Sequence, residues 1–312
     1  MKIRLRLQEE FQRFLHRLGY TMRPISGTPR EYFDPKKALE SQGGRRLAWP
    51  LDDITRALSG VAMGDDAEFK PGRFLGTDPA RTLIVDILKI RSYDAFSYAP
   101  DGWHPLVHAV REDISRGRRE YSGSALEAFL ASYQPENQRE VFLEAHPDAK
   151  DRLLLLPPAM GLVPWIHSDS TPKAGPGGVA NFGPTCPREG QLHMSRLHGA
   201  YESFKTYGYL PQAFSGGYVR GYLIVKHGDY RFIVQGGHHR MAALSVLADD
   251  EGSSGYIEVA FDPTLPPVIH IDDANRWPGV VSGDISNHWA RTIVERYFEE
   301  NGWEKASNLG VL

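Results

Sequence analysis

Cysteine is almost absent: the 312 residues contain a single one, Cys186. No intramolecular disulfide can form and no cysteine-based metal cluster can assemble, which fits a reducing compartment. Long hydrophobic runs are missing as well. No stretch approaches the roughly 20 apolar residues that a membrane span requires, and the opening Met1-Lys-Ile-Arg-Leu-Arg-Leu-Gln-Glu-Glu10 lacks the apolar centre of a signal peptide. The expected location is the cytoplasm, with no membrane partner. Charge of one sign is also scarce. Lys and Arg total 36 against 39 Asp and Glu, a formal net charge of −3, and the pI is near 6.5. A domain built mainly to hold nucleic acid is usually basic, so DNA is not the expected partner, although a local basic patch stays open. No internal repeat is visible. Hydrophobic residues make up 41% and charged residues 24%, the balance of an ordinary globular chain of one large or two small domains.

Several elements can be read from the pattern that is present. Leu7, Phe11, Phe14, Leu15 and Leu18 step at helical spacing, and Gly19 can end that helix. Its basic opposite face reads as a solvated surface rather than as a membrane or nucleic-acid contact. Residues 20–80 are rich in Gly, Pro and charge, with one short helix expected over 51–58. The β-branched run Thr82–Ile90 predicts a strand. Helices are expected over 105–115, with Pro105 in the first turn, and over 124–133, with Ser124 as N-cap. Leu153–Leu156 and Val163–Ile166 read as extended buried chain. Residues 167–187 are dominated by Ser, Thr, Gly and Pro and form the main organisational boundary. The expected layout is therefore residues 1–167 as a mixed α/β N-terminal region, 168–187 as a linker or covering loop, and 188–312 as a second unit. Within that unit Met194, Leu197, Tyr201 and Phe204 mark a helix face closed by Gly208 in the left-handed conformation. A hairpin follows, with strands Tyr222–Val225 and Tyr230–Val234 around His227-Gly228-Asp229. Strands are expected at Tyr256–Phe261 and Val268–Ile271, and a helix at Asn287–Phe298 with Ile293, Val294 and Tyr297 buried.

The chemistry concentrates where the second hairpin strand meets a helix. Phe232-Ile-Val-Gln235 is followed by Gly236-Gly237, then His238-His239-Arg240, then the helix formers Met241-Ala-Ala-Leu244. The two histidines and Arg240 open a helix, where backbone N–H groups and the positive dipole end point outward. Such a place attracts phosphate or carboxylate, and Arg240 adds a planar fork of fixed charge. Cations placed there oppose the dipole unless an anion is bound. The reading is an anion site formed by Gly236, Gly237, His238, His239 and Arg240. Adjacent helical residues point roughly 100° apart, so His238 and His239 are not expected to share one metal ion.

The order helix, hairpin, Gly-Gly-His-His-Arg, helix, strand resembles the ParB/sulfiredoxin fold. The resemblance is carried by Arg196-Leu197, Tyr201–Gly208, the hairpin and Gln235–Leu244, over roughly residues 185–262. It implies an α+β protein: a ParB/sulfiredoxin-like C-terminal domain with an α/β N-terminal extension. Sulfiredoxin places a nucleophilic cysteine where this chain has His238. Partition-type ParB proteins carry a different basic motif and a following helix-turn-helix, for which the last fifty residues offer Pro-rich chain and one helix. The free-serine-kinase branch is similar through Gly237-His238-His239-Arg240, although Gly236 stands where that branch has an aspartate.

That branch implies a nucleotide-dependent phosphotransferase acting on a small hydroxylated molecule. Gly236, Gly237, His238, His239, Arg240 and Arg196 would hold the phosphates of ATP or ADP, or of CTP, with Mg2+ bridging them. Glu189 would be the general base, and His239 is the second catalytic candidate. Read from the residues alone, Glu189 is a solvated helix-start carboxylate before it is a base, and only the resemblance brings the two readings level; Arg196 either pairs with Glu202 or reaches the phosphates. Asp272 and Asp273 read as a turn pair, Trp277 as a packing anchor, and Tyr207, Tyr209 and Tyr218 as small-core residues or a base-stacking surface. The alternatives left open are a non-enzymatic ParB-like protein that binds nucleotide or DNA, and a scaffold with an idle site. The oligomeric state is not set by the sequence.

Overall fold

The apolar run Thr82–Ile90 does not remain one strand. In the computed structural model, which describes residues 82–158, 163–166, 182–209, 211, 217–250, 255–262 and 265–312, the run breaks in three. Strand β1 (Thr82–Asp86) stops where the Asp86 side chain accepts from the Leu88 amide at 2.9 Å. A single 3-10 turn, Ile87–Lys89, leads into the short strand β2 (Ile90–Arg91). The expected helices over 7–18 and 51–58 lie outside the described residues.

Three helices follow. Helix α1 (Pro105–Arg116) begins with its proline in the first turn and ends at Gly117, φ 63°. Helix α2 (Ala125–Ser132) is capped by Ser124, whose hydroxyl accepts from the Glu127 amide at 3.1 Å. Helix α3 (Gln138–Phe142) is a short one. Leu153–Leu156, expected to be extended, instead forms most of a 3-10 turn (Arg152–Leu155) that buries Leu153 and Leu154 and leaves Leu155 exposed. A continuous apolar run does not separate a buried strand from a buried turn.

Helix α4 (Pro187–Tyr207) starts earlier than its apolar stripe suggests. Gly208 closes it with φ 76° but ψ 176°, so the chain leaves extended rather than in the left-handed helical region. Strands β3 (Val219–Lys226) and β4 (Asp229–Gly236) form the hairpin. His227 and Gly228 take φ of 47° and 81°, the mirror-image turn that matches strand twist. Helix α5 (His238–Asp250), strands β5 (Tyr256–Phe261) and β6 (Val268–His270), a 3-10 turn (Ile271–Arg276) and helices α6 (Pro278–Val281), α7 (Asn287–Glu299) and α8 (Trp303–Asn308) complete the described chain. Ala290, Ile293, Val294 and Tyr297 are the buried stripe of α7.

The result is an α+β fold on a mixed sheet of order β1-β5-β3-β4-β2, with β6 also pairing β3. β3 runs antiparallel to β4 and parallel to both β5 and β6. β1 and β2 occupy opposite ends of this order, yet only Ile87–Lys89 connects them. Four strand spacings in a flat sheet would be about 19 Å, whereas so short a link reaches at most about 14 Å. The sheet must therefore curl. Phe232, Ile233 and Val234 are consecutive and all fully buried; neighbouring strand residues face opposite ways, so both faces of β4 are covered. The sheet draws strands from both sides of the 168–187 segment, which divides the sequence without dividing the sheet. Among the described residues no helix is long and apolar enough to cross a membrane.

Candidate functional site

Strand β4 delivers the glycine pair to the start of α5. Gly237 has φ 90°, a conformation that L side chains rarely adopt. A Cβ there would lie 3.1 Å from Arg240 Nη2 and 3.2 Å from the Val219 Cα. A Cβ on Gly236 would lie 3.6 Å from Arg220 Nη2. Two guanidinium groups thus flank the turn, and the Arg220 Nε is buried with no hydrogen-bond partner. The Met241 amide donates to the Gly237 carbonyl at 2.8 Å, which leaves the first-turn amides without intrahelical acceptors. The fixed positive charge and the dipole end coincide here, as the anion reading requires.

The histidines do not add to that charge. Burial pushes the His238 imidazole down to about 4, although a hydrogen bond to the Gln235 carbonyl opposes the shift. Burial also pushes His239 well below the usual histidine range, helped by the neighbouring His193, His238, Arg196 and Arg240. Both rings are neutral at pH 7 and act as hydrogen-bonding groups. Of the cations expected to oppose the dipole in His238-His239-Arg240, only Arg240 is one, and Arg220 from β3 supplies the second.

Each ring has a partner from another part of the chain. His238 Nδ1 lies 2.9 Å from the Tyr98 hydroxyl. Tyr98 comes from the loop between β2 and α1, and Ser245 of α5 donates to its carbonyl, so Tyr98 is tied to α5 at both ends. Its ring stacks face to face on His104, with centroids 3.9 Å apart. His104 Nδ1 accepts from the Leu106 amide at 3.1 Å, which places the proton of this neutral ring on Nε2; burial holds its pKa well below the usual range.

His239 Nε2 lies 2.9 Å from His193 Nδ1 on α4. The ring centroids are 5.1 Å apart and the planes differ by 19°. That separation is close to the N···N distance plus two ring radii, so the rings meet edge to edge and the hydrogen bond lies near both planes.

Glu189, His193 and Arg196 occupy positions i, i+4 and i+7 of α4, one face of a helix. Glu189 lies in the first turn of α4, and its charge partly counters the burial that lowers His193. Arg196 acts on both His193 and His239. The fold therefore brings Arg196 to the helix start that carries Gly236, Gly237, His238, His239 and Arg240, and sets Glu189 near His193. His193, Tyr98, His104 and Arg220 join them without having been picked out beforehand. The Glu189–His193–Arg196 spacing was a readable signal for His193. No local pattern marks Tyr98 or His104, which arrive from well over a hundred residues away.

The packing that holds the site is polar as well as apolar. Arg111 of α1 pairs with Asp249 of α5 at 2.8 Å, and Asp113 of α1 with His198 of α4 at 2.8 Å. Tyr209 is buried, packs edge-on against Phe204 and accepts from the Val219 amide at 3.0 Å, so it serves packing rather than a base platform. Trp277 is buried against Trp165, 5.3 Å between centroids. Asp272 and Asp273 open the 3-10 turn after β6, and Asp273 lies 3.8 Å from Arg276. Among the described residues no group of three or more His, Cys, Asp or Glu is placed to hold a metal ion. Comparison with protein-family models, curated proteins and solved structures found no match for this chain.

The neutral histidines make stability pH-dependent. An unfolded histidine titrates near 6.5, whereas His104, His238 and His239 take up protons only at lower pH when folded. As pH falls from about 6.5, the unfolded chain binds protons that the folded chain does not. Each histidine then removes up to about 1.4 kcal/mol of stability per pH unit, while above about 6.5 the effect vanishes. Thermal melts should show a Tm several degrees lower at about pH 5 than at about pH 7.5, and a smaller fall in His238→Gln. An equal Tm at the two pH values would mean that these rings are charged in the fold.

Proposed function

We propose that this protein is a nucleotide-dependent phosphotransferase acting on a small hydroxylated molecule, with its C-terminal part built on the ParB/sulfiredoxin pattern. One observation carries the reading: Arg240 and Arg220 flank the Gly236-Gly237 turn at the positive end of α5. Two guanidinium groups beside a dipole end match the charge and the oxygen geometry of a polyphosphate. The glycines let the phosphates approach the backbone, where a Cβ would intrude. The first-turn amides of α5 donate to phosphate oxygens, and Arg240 and Arg196 bind the same charge. His238, neutral and tied to Tyr98, orients rather than neutralises. Glu189, on the helix face that also carries His193, is the general base that receives the proton of the acceptor hydroxyl. Mg2+ would be held chiefly by the nucleotide's own phosphates and would neutralise part of their charge. ATP or ADP is the expected nucleotide, and CTP is the competing one.

Calorimetric titration of wild type and Arg240→Ala with ATP, ADP and CTP, each with Mg2+, tests this. Wild type should bind one of the three, and the variant should lose roughly 10- to 100-fold in affinity, the worth of one charge-assisted contact of about 1.5–3 kcal/mol. No binding to any of the three by wild type would overturn the reading. Binding without any phosphate transfer would favour a nucleotide-binding ParB-like protein instead.

A further inference from the structure

The pair His193 and His239 goes beyond phosphate binding. We infer that these two side chains form a two-imidazole proton relay that carries the acceptor hydroxyl's proton from the start of α5 to Glu189 on α4. The inference rests on the phosphotransferase reading for its substrate, but its structural basis is separate. The rings sit on different helices, meet edge to edge, and share one N–H···N bond of 2.9 Å between His193 Nδ1 and His239 Nε2. Each ring thereby keeps one outer nitrogen: Nδ1 on His239, which opens α5 directly after the glycine turn, and Nε2 on His193, which shares a face of α4 with Glu189.

A neutral imidazole carries one proton and one lone pair, on opposite nitrogens. That makes the pair reversible. In one state His239 carries its proton on Nε2 and donates to His193 Nδ1, while His193 carries its own on Nε2. The substrate hydroxyl gives its proton to His239 Nδ1 as its oxygen forms the bond to phosphorus and the nucleotide's bridging oxygen leaves. His239 passes its Nε2 proton to His193 Nδ1, and His193 passes its Nε2 proton to the Glu189 carboxylate. Three protons move one place each, no ring becomes doubly protonated, and both rings end in the opposite tautomer. The surroundings suit this. Burial first, then the neighbouring His193 and His238 rings, Arg196 and Arg240, disfavours an imidazolium on His239, and burial and Arg196 do so on His193 against Glu189, so the rings keep their lone pairs. A merely structural bond between α4 and α5 would not need a second nitrogen on either ring.

That last point defines the test. An asparagine amide occupies the place of imidazole Nδ1 and a glutamine amide that of Nε2. His193→Asn and His239→Gln therefore retain the interhelical bond and remove the outer nitrogen. The first measurement is nitrogen-15 NMR of histidine-labelled full-length wild type. A relay requires two neutral rings with one proton between His193 Nδ1 and His239 Nε2 and a lone pair on one outer nitrogen. A doubly protonated ring, or two rings with no proton between those nitrogens, overturns the relay. The second measurement is turnover of whichever of Mg–ATP, Mg–ADP or Mg–CTP binds, with water and free serine as acceptors. His193→Asn should bind nucleotide within about threefold of wild type, and kcat should fall about 10²- to 10⁴-fold in both variants, the usual worth of a proton-transfer group. Unchanged kcat in both folded variants also overturns it. Failure of wild type to bind any nucleotide sinks the phosphotransferase reading instead, and the NMR result then stands by itself on how the pair is protonated.

Discussion

Gly221→Ala is expected to leave little folded protein. Gly221 lies buried in the central strand β3, opposite Val234 of β4 and Phe261 of β5, where the register between Arg220 and Gly221 shifts. A Cβ at this position would sit 1.9 Å from the Ile233 carbonyl oxygen, 2.9 Å from its carbon and 3.0 Å from the Phe232 ring. The obstructing group is backbone, and β4 is held by β3 on one side and β2 on the other, so it cannot swing away. Overpacking that side chains can absorb costs about 1–3 kcal/mol. Backbone displacement in a central strand belongs with the exceptional losses above about 4 kcal/mol, against a total stability of about 5–15 kcal/mol. Chemical denaturation and soluble yield measure it. A midpoint unchanged from wild type would mean that the hairpin register is wrong. The register matters to the site, because the same shift sets Arg220 beside Gly236.

Phe96→Ala should cost about 3–5 kcal/mol. Phe96 is buried at the centre of an aromatic cluster, with ring centroids of Trp103, Phe129 and Tyr133 at 5.4, 5.5 and 6.0 Å. The Lys305 ammonium of α8 lies 5.5 Å from its ring and 2.7 Å from the Tyr133 hydroxyl. Truncation leaves a cavity and removes one ring from a buried cation, whose pKa burial has pushed down to about 8. A functional consequence follows, because Phe96 anchors the loop that presents Tyr98 and His104. Thermal or chemical denaturation gives the stability loss, and NMR titration of His238 reports whether Tyr98 stays in place. A loss below about 1 kcal/mol would show that the cluster is not packed as described.

Where local chemistry dominates, the sequence was a sound guide. The hairpin was legible because His227-Gly228 satisfies a turn that demands two positive φ values. Helices α1 and α2 were legible from Pro105 and Ser124, since proline and a capping hydroxyl act within one turn of chain. The apolar stripe of α7 appeared at its true spacing. The failures have physical causes too. Thr82–Ile90 is β-branched enough for one strand, but the curled sheet requires a turn within it. Leu153–Leu156 is apolar throughout, and burial alone does not choose between extended and helical backbone. The start of α4 was missed because Pro187-Arg-Glu-Gly190 carries no apolar periodicity.

At the candidate site the division is similar. Gly236-Gly237-His238-His239-Arg240 announced a strand, a turn and a charged helix start, because glycine freedom and the exposed amides of a first turn are local properties. The protonation of the histidines was not legible, since it depends on burial by elements distant in the chain. Nor were their partners: Tyr98, His193 and Arg220 meet this helix start only because α1, α4 and β3 pack around it. The sequence by itself determined which stretch can turn and begin a helix with a basic first turn. Only the tertiary structure decided which charges remain there, because desolvation and proximity are set by packing, not by order along the chain.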